Sequence, residues 1–199
     1  MAKVLLTGFE PFGKYKENSS WAVAGKVAAC GVEGVEVITC LLPVSFTGVA
    51  IALRRAVQEH TPDAIVMLGQ AAGIDYIKLE RIAINMMDAS IADNDGFTPD
   101  EEPIIPSGVA AMFANVNVKL LCRALIKENI NAKVSNNAGL YVCNRLYYEA
   151  LLMCGENPGM KALFVHLPFY DGQLSATAGQ PTMPLDEMVK AIQNIINRI

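Results

Sequence analysis

Val35-Glu36-Val37-Ile38-Thr39-Cys40-Leu41-Leu42 and Ala64-Ile65-Val66-Met67-Leu68-Gly69 bracket a segment, 47–60, in which Val49, Leu53, Ala56 and Val57 recur at helical spacing. The two outer runs are short, rich in Val, Ile and Leu, and read as buried strands. Strand, amphipathic helix, strand is the βαβ unit, whose crossover helix joins parallel strands and covers one face of their sheet. The same grammar extends in both directions. Lys3–Phe9 and Ala162–Leu167 read as further buried strands. In 116–128, Val118, Leu121, Cys122 and Leu125 mark a helical face. Near the C-terminus, Leu185, Met188, Val189, Ile192, Ile195, Ile196 and Ile199 mark another, behind Pro184 and with Asp186 and Glu187 in the first turn. This alternation predicts an α/β fold with a mostly parallel sheet covered on both faces. Tyr76–Asn85 breaks it: a strand there follows Ala64–Gly69 after a short connection, which predicts an antiparallel or mixed element. Asp88–Gly108 reads as a long loop, of the kind that is often functional.

The 199 residues are 52% hydrophobic and 18% charged, enough apolar material for a large core and one domain spanning 1–199. With 16 Lys+Arg against 20 Asp+Glu the formal charge is −4, which argues against nucleic acid or an anionic membrane as partner. No apolar run approaches the ~20 residues needed to span a bilayer, and the apolar stretch after Met1 is too short for a signal peptide. Cys30, Cys40, Cys122, Cys143 and Cys154 contain no Cys-x-x-Cys pair, so neither a disulfide framework nor a zinc cage is expected, and a reducing cytoplasm fits. A mean hydropathy of +0.30 predicts that part of the apolar surface is covered by a partner subunit.

Several familiar motifs are absent. Gly8-Phe9-Glu10-Pro11-Phe12-Gly13 stands where a dinucleotide fingerprint would, but it is not G-x-G-x-x-G, and Pro11 and Phe12 crowd the pyrophosphate path. There is no phosphate-binding G-x-x-x-x-G-K-[ST]. Asp93, Asp95, Gly96 and Glu102 partly match a calcium loop, yet Ile91 occupies the place of its first carboxylate.

Three residues have the makings of a reaction centre. Cys143 precedes a helical pattern of Leu146, Tyr147, Ala150, Leu151 and Cys154. A helix N-terminus favours thiolate, so Cys143 alone of the five is expected to have a lowered pKa, and the others are expected to be buried structural cysteines. His166 ends the strand Ala162-Leu163-Phe164-Val165, on the side where open parallel sheets bind ligands. A satisfied core histidine is the competing reading. His60 ends an exposed helix and reads as solvated. Glu80 shares a strand face with Ile82 and Ile84 and therefore needs a partner. That partner is either His166, whose tautomer it would fix, or a cation on a neighbouring strand.

On these residues the chain resembles the pyroglutamyl peptidase type I (pyrrolidone carboxyl peptidase) family of cysteine peptidases. The likeness runs through Leu6-Thr7-Gly8-Phe9-Glu10-Pro11-Phe12-Gly13 with Asn18, Gly69-Gln70-Ala71, Glu80-Arg81-Ile82-Ala83-Ile84-Asn85, Ser135-Asn136-Asn137-Ala138-Gly139 with Tyr141-Val142-Cys143-Asn144, and Phe164-Val165-His166-Leu167-Pro168. The resemblance implies a three-layer α/β/α sandwich around a mixed, mostly parallel sheet, assembly into homodimers or homotetramers, and no metal or cofactor. It implies a Cys143–His166–Glu80 triad that removes N-terminal pyroglutamate (5-oxoproline) from peptides. It also implies a ring pocket from Phe9 and Phe12, with Gln70 near the lactam and Ile91, Tyr141, Val142 and Leu146 as apolar lining. Ordinary core packing is the alternative for Phe9 and Phe12.

The chain departs from the family pattern in three places: Ala72-Gly73-Ile74 replaces Gly-Gly-Arg, Ser90 and Ala92 replace an Arg and a Pro around Ile91, and Gly108-Val109-Ala110-Ala111-Met112-Phe113 replaces Gly-Pro-Ala-Ala-Tyr-Phe. Ser90 removes a cation that the resemblance implies close to the reacting groups. Two further readings therefore stand beside the peptidase: a hydrolase of another small amide or lactam-bearing compound, and a weakly active binding protein on the same scaffold.

Overall fold

The structure, a computed structural model, describes residues 1–173 and 179–199. A six-stranded sheet lies at its centre in the order β2-β1-β3-β8-β4-β7. Strands β1 (Ala2–Phe9), β2 (Val35–Leu42), β3 (Ala64–Gln70) and β8 (Lys161–Leu167) are mutually parallel. They are the four runs that the hydrophobic pattern predicts, but β2, at the sheet edge, is mostly half-buried, with Glu36 and Leu41 exposed, rather than buried as expected. Strand β4 (Ile77–Glu80) is antiparallel to β8, and β7 (Ala132–Ser135) is parallel to β4, so two edge-side strands are reversed. The sheet is mixed and mostly parallel, as expected.

The stretch predicted as one strand over Tyr76–Asn85 is two. Strand β4 ends at Glu80, and β5 (Ile82–Ile84) leaves the central sheet to pair antiparallel with β6 (Ala111–Phe113). Arg81 is the pivot: its N–H donates to Ser135 O in one sheet while its own carbonyl accepts from Ala114 N–H. A separate two-residue pair, β9 (Phe169–Tyr170) with β10 (Thr182–Met183), follows β8.

Helices fill both faces of the central sheet. On one side α1 (Ser19–Cys30), α3 (Val118–Lys127) and α5 (Leu185–Ile196) pack over Val4, Leu6, Val66, Leu68, Leu79, Leu163 and Val165. On the other, α2 (Gly48–His60) and α4 (Val142–Glu156) pack over Leu5, Ile65, Met67, Ala162 and Phe164. Strand residues thus alternate between two cores, which is why the central runs are apolar throughout rather than alternating. The result is a three-layer α/β/α sandwich.

Helix α1, which the hydrophobic pattern does not single out, is held at its start by Asn18. The Asn18 side chain accepts from Ser20 N–H at 3.1 Å, a capping bond that satisfies one orphan donor of the first turn. The helix crosses close over β1 because residue 8 has no Cβ: one there would stand 2.8 Å from the Ser20 carbonyl and the Trp21 backbone. No helix of the described residues is long and apolar enough to cross a membrane.

Candidate active site

The parallel strands β3 and β8 end side by side, with Gly69 opposite His166 in register. On the next strand Lys78 is the antiparallel partner of His166, and Glu80 lies two residues further on the same face. Glu80 is fully buried, and its Oε1 stands 2.8 Å from His166 Nδ1. A carboxylate can only accept, so Nδ1 carries the proton and the Nε2 lone pair is left to act as a base. The same Oε1 also meets Lys78 Nζ at 3.2 Å. The two partners left open for Glu80, an imidazole and a cation, are therefore both present, and the cation sits on its own strand.

Helix α4 starts at Val142, so Cys143 is its second residue, and the first two N–H groups of that turn precede the first intrahelical bonds, which Asn144 and Arg145 make to Tyr141 O. The turn is anchored by Asn144. Its Oδ1 accepts from Ile84 N–H at 2.9 Å, and its Nδ2 donates to Ile84 O at 2.8 Å and Met86 O at 2.9 Å. Tyr147, one turn on, donates its hydroxyl proton to the backbone carbonyl of Glu80 at 3.1 Å. The thiol's helix is thus bonded to the strand that carries the carboxylate.

The expected lowering of the Cys143 pKa is not found. Burial of the thiol, with the negative charge of Glu80 second, pushes it up to about 12; its own backbone N–H and Lys78 pull the other way but less. The helix terminus acts as anticipated in sign, but desolvation outweighs it. Two of the other four cysteines also depart from expectation. Cys122 and Cys154 are buried, whereas Cys30 is exposed and Cys40 only partly buried; all five are free thiols. Among the described residues no group of three or more His, Cys, Asp and Glu is placed to hold a metal ion.

Cys143 and His166 open into one small cavity of about 160 Å³, well below the ~300–1,000 Å³ of drug-sized sites. Phe9, Phe12, Tyr141 and Val142 supply apolar walls, Val44 and Ala138 complete them, and Asn18 and Gln70 bring side-chain amides to the lining. The orientation of Gln70 is set: its Oε1 accepts from Ser19 N–H at 2.9 Å and from Gln173 Nε2 at 2.7 Å, so the oxygen faces α1 and the amide nitrogen keeps its donors for the cavity. Phe9 ends β1, is buried, and serves both the core and the cavity wall. Phe12 packs against Tyr15 and Tyr141.

Two residues expected at the pocket lie elsewhere. Ile91 is 55% exposed in the 88–108 loop, and Leu146 is fully buried in the α2/α4 core; neither lines the cavity. The loop still braces the site. Tyr141 donates its hydroxyl proton to Ala92 O at 3.0 Å, and buried Asp93 accepts from the N–H groups of Phe46, Asp95 and Phe97. Asp95 in the same loop accepts from the Ser45 hydroxyl. Ser90 is exposed, and the cation touching the buried carboxylate is Lys78. Sequence reasoning passed over Lys78, Gln173 and Asn144 as site residues. Only Lys78 had a usable signal, its strand period with Glu80.

A buried carboxylate bonded to an imidazole, and a helix-start thiol opening into the same cavity, define a cysteine hydrolase. The sequence comparison is specific: a family model described as pyroglutamyl peptidase matches residues 2–199, and the chain belongs to that family. It is 42% identical over 199 residues to the pyrrolidone-carboxylate peptidase of Thermococcus kodakarensis, covering 99% of this chain and 95% of that protein. The crystal structure of pyrrolidone carboxyl peptidase from Fervidobacterium islandicum AW-1 superposes with a TM-score of 0.93 at 35% identity, covering 100% of each chain. Pyrrolidone carboxyl peptidase from Thermococcus litoralis gives 0.93 at 33% identity, over 99% of this chain and 92% of that one.

Proposed function

We propose that the chain acts as a single catalytic domain that removes N-terminal pyroglutamate from peptides, with Cys143 as nucleophile, His166 as general base and acid, and Glu80 orienting the imidazole. One observation carries the substrate reading. The thiol and the imidazole open into a cavity sized for a small ring, walled by aromatic side chains, offering amide donors from Gln70 and no carboxylate. An ordinary N-terminus would bring an ammonium into this cavity with nothing to pair it, and a buried unpaired charge is costly. A pyroglutamyl group is a neutral lactam, whose carbonyl can accept from Gln70 and whose ring can pack on Phe12 and Tyr141.

Desolvation pushes the thiol pKa up, so attack and deprotonation are coupled. His166 Nε2 takes the Sγ proton as sulfur bonds to the acyl carbon, and Glu80 stabilises the imidazolium that forms. The first-turn N–H of Cys143 holds the oxyanion. Collapse breaks the C–N bond, His166 returns its proton to the departing amine, and a thioester remains. Water, deprotonated by the same nitrogen, then releases free pyroglutamate and restores the thiol. Hydrolysis of a pyroglutamyl-aminocoumarin, beside prolyl and glutamyl analogues, tests this. Cleavage of the pyroglutamyl compound alone, lost in Cys143→Ser, is the expected outcome; cleavage of none, or equal cleavage of all three, would reject it.

The same reading includes self-association in a reducing cytoplasm. Ile51, Val109, Phe113, Leu120 and Ile126 are all more than half exposed, which supports burial between copies of the chain, and five free thiols suit a reducing compartment. Light scattering at micromolar concentration would show a dimer or tetramer; a monomer would contradict it.

A further inference from the structure

Glu80 raises a problem of charge balance. It is fully buried, and among the described residues its Oε2 has no hydrogen-bond partner, so the contacts found there reach the carboxylate through Oε1. There it receives one N–H from His166 at 2.8 Å and the ammonium of Lys78 at 3.2 Å. A single neutral donor is poor compensation for a buried carboxylate, whereas a cation at contact distance is substantial. The reach of Lys78 is constrained at both ends. Its backbone is locked between two strands, opposite His166 on β8 and Lys133 on β7. Its Nζ also donates to Asn137 O at 3.4 Å, in the segment that leads into α4 and Cys143.

The charged and titratable groups around it leave this duty to Lys78. From β7, Lys133 is turned away, its ammonium 3.9 Å above the ring of Tyr76. From β8 comes His166, engaged with Oε1. From α4 come Cys143 and Tyr147, both pushed upward first by burial and then by Glu80. Tyr141, at the helix cap, is raised by burial, then by Asp93 and Cys143. Of these groups Lys78 is the cation in contact with the carboxylate, and it opposes the effect of Glu80 at the sulfur.

We propose that Lys78 is a positioning residue of the reaction: shared on Glu80 Oε1 with His166, its ammonium seats the buried carboxylate beneath the imidazole and offsets the carboxylate's negative charge at Cys143. This rests on the reading of Cys143, His166 and Glu80 as the reacting machinery. It adds a fourth side chain, acting through Glu80 rather than on substrate.

The test uses the full chain with Lys78→Met, Lys78→Gln and Lys78→Arg. Iodoacetamide alkylation of Cys143 is followed by mass spectrometry across pH, with Cys30 as the internal standard, and kcat and KM are measured on pyroglutamyl-aminocoumarin. Without the cation the Cys143 thiol ionises less readily. Alkylation of Cys143 at fixed pH should slow roughly 3–10-fold in the Met and Gln variants, since one pKa unit is tenfold in thiolate. Its profile should move to higher pH, kcat should fall with KM nearly unchanged, and Arg should restore both. Cys30 alkylation should be equal in all four proteins. Unchanged Cys143 profiles in Lys78→Met and Lys78→Gln, even with a lowered Tm, would overturn the proposal, because a purely structural ion pair predicts that pattern. Failure of the wild type to cleave the substrate would reject the peptidase reading instead, and the alkylation profiles would still decide the role of Lys78.

Discussion

Gly69 and Cys143 stand so close that a Cβ on residue 69 would lie 3.1 Å from the Cys143 sulfur and 2.8 Å from the ring of Phe164. Phe164 is fully buried and cannot retreat without disturbing the α2/α4 core. Gly69→Ala is therefore expected to cost about 1–3 kcal/mol of stability by overpacking and to displace the sulfur. Activity should fall more than the urea midpoint implies. Wild-type kcat in a folded Gly69→Ala protein would show that the sulfur has more room than this geometry allows.

The raised thiols make a pH prediction for stability. Cys143 lies at about 12 and Cys154 at about 11, against an ordinary 9.0, both chiefly through burial. A group whose folded pKa is raised contributes stability fully below its unfolded pKa and loses it as pH rises through the folded value. Stability should therefore hold up to about pH 9 and decline from there towards 11–12, with each thiol contributing at most about 1.4 kcal/mol per pH unit. Urea unfolding at pH 8 and 10.5, with Cys154→Ala for comparison, checks this. A flat profile would mean that the thiols are less buried than found.

Order of alkylation follows from the same burial. Cys30 is exposed, so in the resting protein iodoacetamide should modify Cys30 first without loss of activity. Inactivation should track the slower modification of Cys143 and accelerate as pH rises. Inactivation in step with Cys30 would contradict the assignment of the nucleophile.

Asn144 should act through placement. Asn144→Leu leaves Ile84 N–H and Met86 O without their side-chain partner, while Ile84 O keeps its bond from Met86 N–H, an expected loss of about 1–3 kcal/mol. Thermal unfolding measures it; a change below about 0.5 kcal/mol would show that water replaces the side chain.

Gln70 should govern KM. Gln70→Leu leaves Ser19 N–H and the lactam carbonyl without their partner and should weaken pyroglutamyl substrate by about 1–3 kcal/mol in kcat/KM. Gln173→Leu frees the Gln70 amide to rotate and should give a smaller loss. Equal kinetics in wild type and Gln70→Leu would place the ring elsewhere.

Legibility from sequence follows burial pattern and length. Strands β1, β3 and β8 and helices α2, α3 and α5 declare themselves because each buries a continuous run or one clear stripe, and edge strand β2 does so by its apolar, β-branched sequence although it is mostly half-buried. Helix α1 is harder to read: Ala, Gly and Val leave a weak stripe over Ser19–Cys30, and its placement depends on the Asn18 cap and the missing Cβ at Gly8. Strands β6 and β7 are three and four residues long and take their conformation from their partners.

Residue type and local period were sufficient to point to Cys143, His166 and Glu80, because a helix-start cysteine, a strand-end histidine and a carboxylate on an apolar face are each anomalous where they stand. Tertiary structure alone decided how they meet. Strand β4 runs antiparallel to β8, and that reversal brings Glu80 to His166 Nδ1, while Lys78 meets Glu80 along their own strand. It also decided the state of the thiol. Helix position favours thiolate, but sulfur packed beside Gly69 and near a buried carboxylate loses more to desolvation than the helix terminus returns, and the depth of burial that sets this balance comes from residues distant in sequence.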